Sequence, residues 1–500
     1  MSELVRLARG AIATGVHGAR LDTTLRARLR DGGFGAYVLF GRNVENLAQV
    51  RALADDLRAL DDPPALVAID QEGGRVARLH DGVEALPSMM ALGATRSAEL
   101  ARRAGEQLGF DLRRAGVTLD FAPVLDLALE PESTVIGMRA FGSDSRETTR
   151  LASALADGMR AFGVVPTFKH APGHGSTALD SHVGLPVVDA DAATLRARDF
   201  APFAACAADA SAFMTAHVIV RALDAEHPAT LSPRILTELF RDEWGFRGCC
   251  FTDCMQMDAI ARGIGTVEGV LAAIAAGADC ATISSDIDLA FAAADRLAEA
   301  VERGRLPLAR LREANARVMH LRRGAAPPLP LDASPPHPGI GREIARRATT
   351  LVRGIAHADP TTALAISFEG ARADGVATDA RDAASLAVQA PALAMLRLSL
   401  DPSEGEVARA LDELAASGRR ALLLARRAHL HPAQAAAIAR IVEREPDAVV
   451  VSMQEPFDVA CFERARHVLA TYGDEAPSVA GLADVLFGGC APSGVMPVAL

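Results

Sequence analysis

Short apolar runs alternate with alanine- and arginine-rich amphipathic stretches through roughly the first 320 residues, and this alternation constrains the fold more than any other feature. The runs are Ala36–Phe40, Leu66–Ile69, Val117–Phe121, Val164–Phe168, Ala212–Thr215, Cys250–Thr252 and Cys280–Ile283. Helical patterns lie between most of them: Leu47–Leu60, Ser97–Arg114, Thr148–Phe162, Ala192–Ala208, Ser232–Asp242 and Thr266–Ala276. Strand–helix alternation predicts a parallel sheet with helices outside it. Seven or eight such units over this length predict an α/β fold of the (β/α)8 TIM-like barrel type rather than an open sheet.

Polar residues gather where the apolar runs stop. Asp70 follows Ile69, Asp120 follows Leu119, Lys169 and His170 follow Phe168, His217 closely follows Thr215, and Asp253 follows Thr252. A single charged residue there is usually a cap or a turn residue. Five strand ends with Asp, Lys or His match the way barrel active sites are built, at the carboxyl ends of the strands. The richest of these stretches is Lys169 to His182, where one proline and two glycines predict a loop. It holds a lysine, three histidines and an aspartate, and reads as the working loop of an enzyme.

Within that loop, Asp180 and His182 are two residues apart, so in an extended segment they point the same way. The carboxylate can then fix one imidazole tautomer and stabilise its protonated form, as in catalytic dyads, or it can simply pin the loop. His170, His174 and His182 also read as metal ligands of a metal-dependent barrel hydrolase, although the spacing is not HExxH and no cysteine pair flanks it. Asp253 can be a nucleophile, a substrate contact or a metal ligand. The Gly73-Gly74 pair turns the chain so that Asp70 and Arg78 can face one pocket.

Composition narrows the partners. A net charge of -11 with one Trp and two Tyr argues against phosphate-backbone binding and base stacking, so no nucleic acid partner is expected. No stretch has the pattern of a signal peptide or a membrane span, so a soluble, cytoplasmic protein is expected. The seven cysteines are odd in number and lie mostly in apolar segments, which predicts buried reduced thiols. Cys254 adjoins Asp253, but no base neighbours it in sequence to activate a thiolate.

Past the barrel, Gly324–Gly339 is proline-rich and predicts an extended linker. Thr362–Phe368, Ala394–Leu398, Ala421–Leu424 and Ala448–Met453 read as buried strands, with helices such as Glu406–Ala416 and Pro432–Glu443 between some of them. The expected organisation is a barrel over residues 1–323, a linker over 324–344 and a smaller α/β sandwich domain over 345–500. The second domain carries no nucleotide-binding glycine motif, and no cofactor or metal is expected.

Four segments together resemble glycoside hydrolase family 3. They are Ile69–Leu79 (IDQEGGRVARL), Val135–Phe141 (VIGMRAF), Lys169–His182 and Phe251–Asp253 (FTD). More narrowly they resemble its β-N-acetylglucosaminidase branch, and a weaker likeness continues at Leu469–Asp474 and Pro492–Val498. The resemblance implies Asp253 as catalytic nucleophile, His182 as general acid/base on a mobile loop, and Asp180 as its dyad partner. It implies that Asp70, Arg78, Arg139, Lys169 and His170 hold an N-acetylglucosamine unit, and that His174 is structural. Ala171 stands where the family usually has phenylalanine, and Met138 where it usually has aspartate. Cys254-Met255-Gln256-Met257 replaces a more acidic version.

These roles imply a retaining exo-β-N-acetylglucosaminidase acting on small saccharides through a glycosyl-aspartate, with muropeptides of cell-wall recycling as the implied substrates. An imidazole in place of a second carboxylic acid would not repel an anionic acceptor. A phosphorylase on the same scaffold is therefore the alternative. A non-catalytic sugar-binding protein is a third reading, disfavoured by the full acid/base and nucleophile set.

Overall fold

A computed structural model of the chain describes residues 2–29, 33–179, 181, 184–370 and 385–500. Eight parallel strands close into a barrel: β1 (Ile12–Gly15), β2 (Ala36–Leu39), β3 (Leu66–Ile69), β4 (Leu119–Asp120), β5 (Val165–Ala171), β6 (Ala212–Thr215), β7 (Cys249–Cys254) and β8 (Cys280–Ile283). Neighbours in sequence are neighbours in the ring, and β1 pairs with β8 through Ile12–Ala281 and Thr14–Ile283 to seal it.

The apolar runs are uninterrupted because both faces of each strand are covered. Ala13, Val38, Leu66, Ala68, Phe121, Met214 and Phe251 fill the inside of the ring, with the Phe121 and Phe251 rings edge to face at 5.7 Å. Ile12, Tyr37, Val67, Ile69, Phe213 and Ile283 pack outward against the helices. Those helices start where polar side chains satisfy their first amides. Ser97 accepts from the Leu100 amide, Asp144 from Glu147 and Asn46 from Gln49.

The ring begins earlier than the apolar runs alone indicate. Its first strand is Ile12–Gly15, not Ala36–Leu39. The stretch Ala192–Ala208 is two short helices, Ala192–Ala197 and Ala201–Cys206. β5 runs on through Lys169 and His170 to Ala171, so these two residues lie on the strand and not in the loop after it.

The second domain is a six-stranded mixed sheet between two helical layers. Its strands are β9 (Thr350–Arg353), β10 (Ala363–Glu369), β11 (Ala394–Ser399), β12 (Arg420–Ala425), β13 (Val449–Ser452) and β14 (His467–Ala470), in the order β9-β14-β13-β12-β10-β11. Only β9 runs antiparallel. Helices Glu404–Ser417 and Pro432–Arg444 cover one face, and Leu386–Gln389 with Ala476–Leu486 the other. Strands β9 and β14 were not among those expected.

The proline-rich stretch between the two sheets is strapped to the barrel. Leu329 donates its amide to the Arg113 carbonyl at 3.1 Å, and Arg51 and Arg114 donate to the carbonyls of Leu329 and Leu331. Helix Ile340–Ala348 then carries the chain across position 344 into the second domain. The carboxyl-end loops of the second sheet meet loops at the mouth of the barrel. Met90, Val135, Met138, Phe457, Tyr472 and Val498 share one buried apolar cluster there. Met138, noted as a departure from the family pattern, is thus a packing residue between domains. All seven cysteines are free thiols; four are buried, while Cys254, Cys461 and Cys490 are partly exposed. Among the described residues, no helix is long and apolar enough to cross a membrane.

Candidate active site

The carboxyl ends of the barrel strands enclose a cavity of about 350 Å³. Six of the eight residues given catalytic or sugar-holding roles line it: Asp70, Arg78, Arg139, Lys169, His170 and Asp253. Asp180 and His182 lie outside the described residues. Ser181, between them in sequence, lines the same cavity.

β3 delivers the first group. Asp70 follows its last residue, and the next side chain, Gln71, shapes the loop beyond. Gln71 Oε1 accepts from the amides of Arg78 (2.7 Å) and Leu79 (2.9 Å), while its Nε2 donates to the Leu79 carbonyl. This clamp brings Arg78 back beside Asp70, with Arg78 Nη2 at 3.8 Å from Asp70 Oδ2. The Gln71 amide in turn donates to Asp120 Oδ1 at the end of β4.

Lys169 stands at the centre. Its ammonium contacts Asp70 Oδ1 at 2.7 Å and Glu72 Oε1 at 2.6 Å, and the side chain is 2% exposed. Arg139 grips the same Glu72 with two nitrogens, Nε at 2.8 Å and Nη2 at 2.7 Å. Burial pushes the Glu72 carboxyl upward, but Arg139 and Lys169 outweigh it and hold Glu72 well below the usual carboxylate range. Lys169 is likewise kept charged: burial disfavours its ammonium, and Asp70 and Glu72 more than offset that. Asp120 differs. Burial, with Asp70 and Glu72 adding to it, raises its carboxyl well above the ordinary value despite the Gln71 hydrogen bond and the charge of Lys169.

His170 is oriented from behind. Its Nδ1 lies 2.6 Å from Asp126 Oδ2, an atom that also accepts the His170 amide at 3.0 Å. A carboxylate only accepts, so Nδ1 carries the proton and Nε2 is the nitrogen left for the cavity. Asp126 Oδ1 accepts the His174 amide at 2.7 Å, which ties the Pro-Gly turn to the same anchor. Burial would raise the Asp126 carboxyl, but His170 outweighs it and the group is held low. His174 pairs with Thr177 Oγ1 at 2.7 Å and Ser181 Oγ at 3.3 Å. Burial lowers its imidazole to about 4, so it is neutral near pH 7.

Asp253 projects from β7 into the cavity, and its Oδ1 accepts the Cys254 amide at 2.7 Å. His217 supports that strand end, with Nε2 3.0 Å from the Cys254 carbonyl and Nδ1 2.8 Å from Thr230 Oγ1. Burial raises the Cys254 thiol, which lies 2.8 Å from Ser284 Oγ, so it does not have the depressed pKa of an activated nucleophile. Among the described residues, no group of three or more His, Cys, Asp or Glu side chains is placed to hold a metal ion.

Three residues of this site were not picked out from the sequence: Gln71, Glu72 and Asp126. Glu72 carried a signal, since a carboxylate two positions after Asp70 in a glycine turn can return to the same pocket. Asp126 also carried one, as it ends the apolar run Ala122–Leu125.

A family model for the N-terminal domain of glycosyl hydrolase family 3 matches residues 6–321. The chain belongs to glycosyl hydrolase family 3. A β-hexosaminidase of Pseudomonas aeruginosa is 40% identical over 294 residues, 58% of this chain and 87% of the relative. One from Chromobacterium violaceum is 41% identical over 283 residues, 55% and 78% respectively. A family 3 β-N-acetylglucosaminidase structure from a Paenibacillus species matches 100% of this chain and 99% of its own at 30% identity, with a TM-score of 0.92. NagZ of Neisseria gonorrhoeae, solved with N-trifluoroacetyl-D-glucosamine, matches 63% of this chain and 98% of its own at 31% identity, with a TM-score of 0.54. This family 3 chain is a glycoside hydrolase, a TIM-like barrel followed by a second α/β domain.

Proposed function

We propose that the enzyme is a retaining exo-β-N-acetylglucosaminidase that releases terminal, non-reducing β-linked N-acetylglucosamine. The observation that carries this is the placing of the Asp253 carboxylate in the same cavity as the Asp70–Lys169–Glu72–Arg139 cluster and His170. That cluster offers directional donors and acceptors for sugar hydroxyls, with its charges already paired. A neutral, hydroxyl-rich ring fits such a site better than an ion does.

In the first step an Asp253 oxygen attacks the anomeric carbon while the bond to the leaving oxygen breaks, and the His182 imidazolium gives that oxygen its proton. Asp180 stabilises the imidazolium. In the second step water attacks the same carbon, His182 takes a proton from the water, and Asp253 leaves as carboxylate. Asp70, Arg78, Arg139, Lys169 and His170 hold the N-acetylglucosamine unit through both steps. Retention follows from two inversions at one carbon.

Muropeptide fragments are the proposed natural substrates and the cytoplasm the proposed location, as the recycling of cell-wall sugars requires. The β-hexosaminidase relative at 40% identity and the β-N-acetylglucosaminidase structure at 30% are both named for hydrolysis, which favours hydrolysis over phosphorolysis.

The test is D253A assayed on an aryl N-acetylglucosaminide, with products followed by NMR. Turnover should fall on the order of 10⁴-fold. The wild type should release the β-anomer first, and added phosphate should give no sugar 1-phosphate. Near-wild-type turnover in D253A ends the proposal. Replacing His182 should harm poor leaving groups far more than activated ones, since only the former need the proton.

A further inference from the structure

Among the contacts between the second domain and the barrel, the carboxylate of Glu455 reaches the machinery of the cavity. Glu455 follows β13 and is 2% exposed. Arg427 approaches it with Nε at 3.2 Å and Nη2 at 3.3 Å, and Arg75 of the barrel with Nη1 at 4.0 Å. Burial pushes the Glu455 carboxyl upward, while Arg427 and Arg75 outweigh it and keep the group ionised.

The same carboxylate lies against the turn Gly137–Arg139. A Cβ on Gly137 would stand 2.8 Å from Glu455 Oε1, and Gly137 has φ +44°. A side chain there would meet the carboxylate and adopt a conformation costly for anything but glycine. Arg75 ties down the start of this segment, donating from Nη2 to the carbonyls of Thr134 (2.8 Å) and Val135 (3.5 Å). Arg139 closes it by donating from Nη1 to the Val135 carbonyl at 2.8 Å, which leaves Nε and Nη2 for Glu72. A continuous set of contacts thus runs from the second domain to the guanidinium in the cavity.

We propose that Glu455 is a positioning residue for substrate binding: from the second domain it fixes the Val135–Arg139 segment and so sets where Arg139 stands in the sugar cavity. The proposal rests on the reading that Arg139 holds the sugar. It gives the second domain a share in ground-state affinity while the bond-breaking groups stay on the barrel. E455Q keeps the shape and removes the charge, so the pull of Glu455 on both arginines weakens and Arg139 loses its fixed register.

The experiment uses the full-length protein with E455Q and measures two quantities. Hydrogen exchange read by mass spectrometry should be faster in peptides covering residues 133–141 and unchanged over β7. KM for an aryl N-acetylglucosaminide should rise about tenfold with kcat within about twofold, the mark of lost binding that is uniform between ground and transition states. A carboxylate that only stabilised the interface would lower the melting temperature without moving that split. Folded E455Q with wild-type protection over 133–141 overturns the proposal. Faster exchange there with an unchanged KM leaves the clamp standing and overturns the reading of Arg139 as a sugar contact. Should E455Q fail to fold, R75K reads the same two quantities, because it keeps a charge facing Glu455 and lacks the fork that reaches Thr134 and Val135.

Discussion

Asp126→Asn is the sharpest available perturbation of the site, because it alters one atom and leaves the volume unchanged. Asp126 accepts three hydrogen bonds, from the His170 amide and His170 Nδ1 on one oxygen and from the His174 amide on the other. Asparagine has one accepting oxygen. With that oxygen towards His174, the new amide nitrogen faces the His170 N–H donor, and an unsatisfied buried donor costs about 1–3 kcal/mol. The His174 bond loses its charge assistance, roughly half its strength. His170 must also move its proton from Nδ1 to Nε2 to accept from the new amide. The sum is on the order of 3 kcal/mol, offset in part by the burial cost of a carboxylate that is no longer there. The nitrogen presented to the cavity changes from acceptor to donor, and kcat/KM should fall on the order of 100-fold, as for a misplaced contact group.

The assays are urea denaturation and hydrolysis of an aryl N-acetylglucosaminide. The pH dependence adds a sign. Burial opposes ionisation of Asp126, but His170 outweighs it and depresses the folded pKa. The stability this gives is present above about pH 4, the ordinary value for an aspartate, and is lost as pH falls through the folded value. The gap between wild type and D126N should therefore narrow on acidification. A variant with the wild-type denaturation midpoint and wild-type kcat/KM would refute the account of Asp126 as the anchor of this loop.

Three further outcomes are expected. Lys169→Met leaves Asp70 with Arg78 at 3.8 Å as its remaining described ion partner; it should cost about 3 kcal/mol and raise KM at least about tenfold, and an unchanged KM would remove Lys169 from the sugar contacts. His174, lowered by burial to about 4, is neutral in the fold while the unfolded chain takes up a proton near 6.5, so it contributes about 3 kcal/mol above pH 6.5 that is lost as pH falls towards 4; H174Q should flatten the stability profile across that window, and parallel profiles would mean the imidazole is charged in the fold. Tyr472→Phe removes the 2.7 Å hydrogen bond to Thr350 Oγ1 in the apolar cluster between the domains; it should cost about 1 kcal/mol in denaturation with turnover intact, and loss of turnover would mean this contact reaches the active site.

Leu66–Ile69, Ala212–Thr215 and Cys280–Ile283 were legible residue for residue, because a strand buried on both faces is apolar at nearly every position. Ile12–Gly15 was not, since two of its four residues are threonine and glycine and its place in the ring depends on pairing with residues some 270 positions away. The helical reading of Ala192–Ala208 failed for a local reason. The chain breaks at Arg198–Phe200, and Asp199 is turned inward to accept from Ser176 Oγ. Asp70, Lys169, His170 and Asp253 were legible as chemistry at strand ends. Glu72 and Asp126 were harder: their local signals, a carboxylate in a glycine turn and an aspartate ending an apolar run, are common, and what sets them apart is the partners they meet across the barrel. The strap of the proline-rich segment onto Arg51, Arg113 and Arg114 was invisible for the same reason.

The seam between β1 and β8 sets a schedule for synthesis. A ribosome makes the opening staves of this cask long before the closing one, so the early strands must wait, with one rim unpaired, until residue 283 has emerged. An unpaired rim is an invitation to other chains. Slowing elongation just upstream of that point should lengthen the vulnerable interval and divert more nascent product into aggregates.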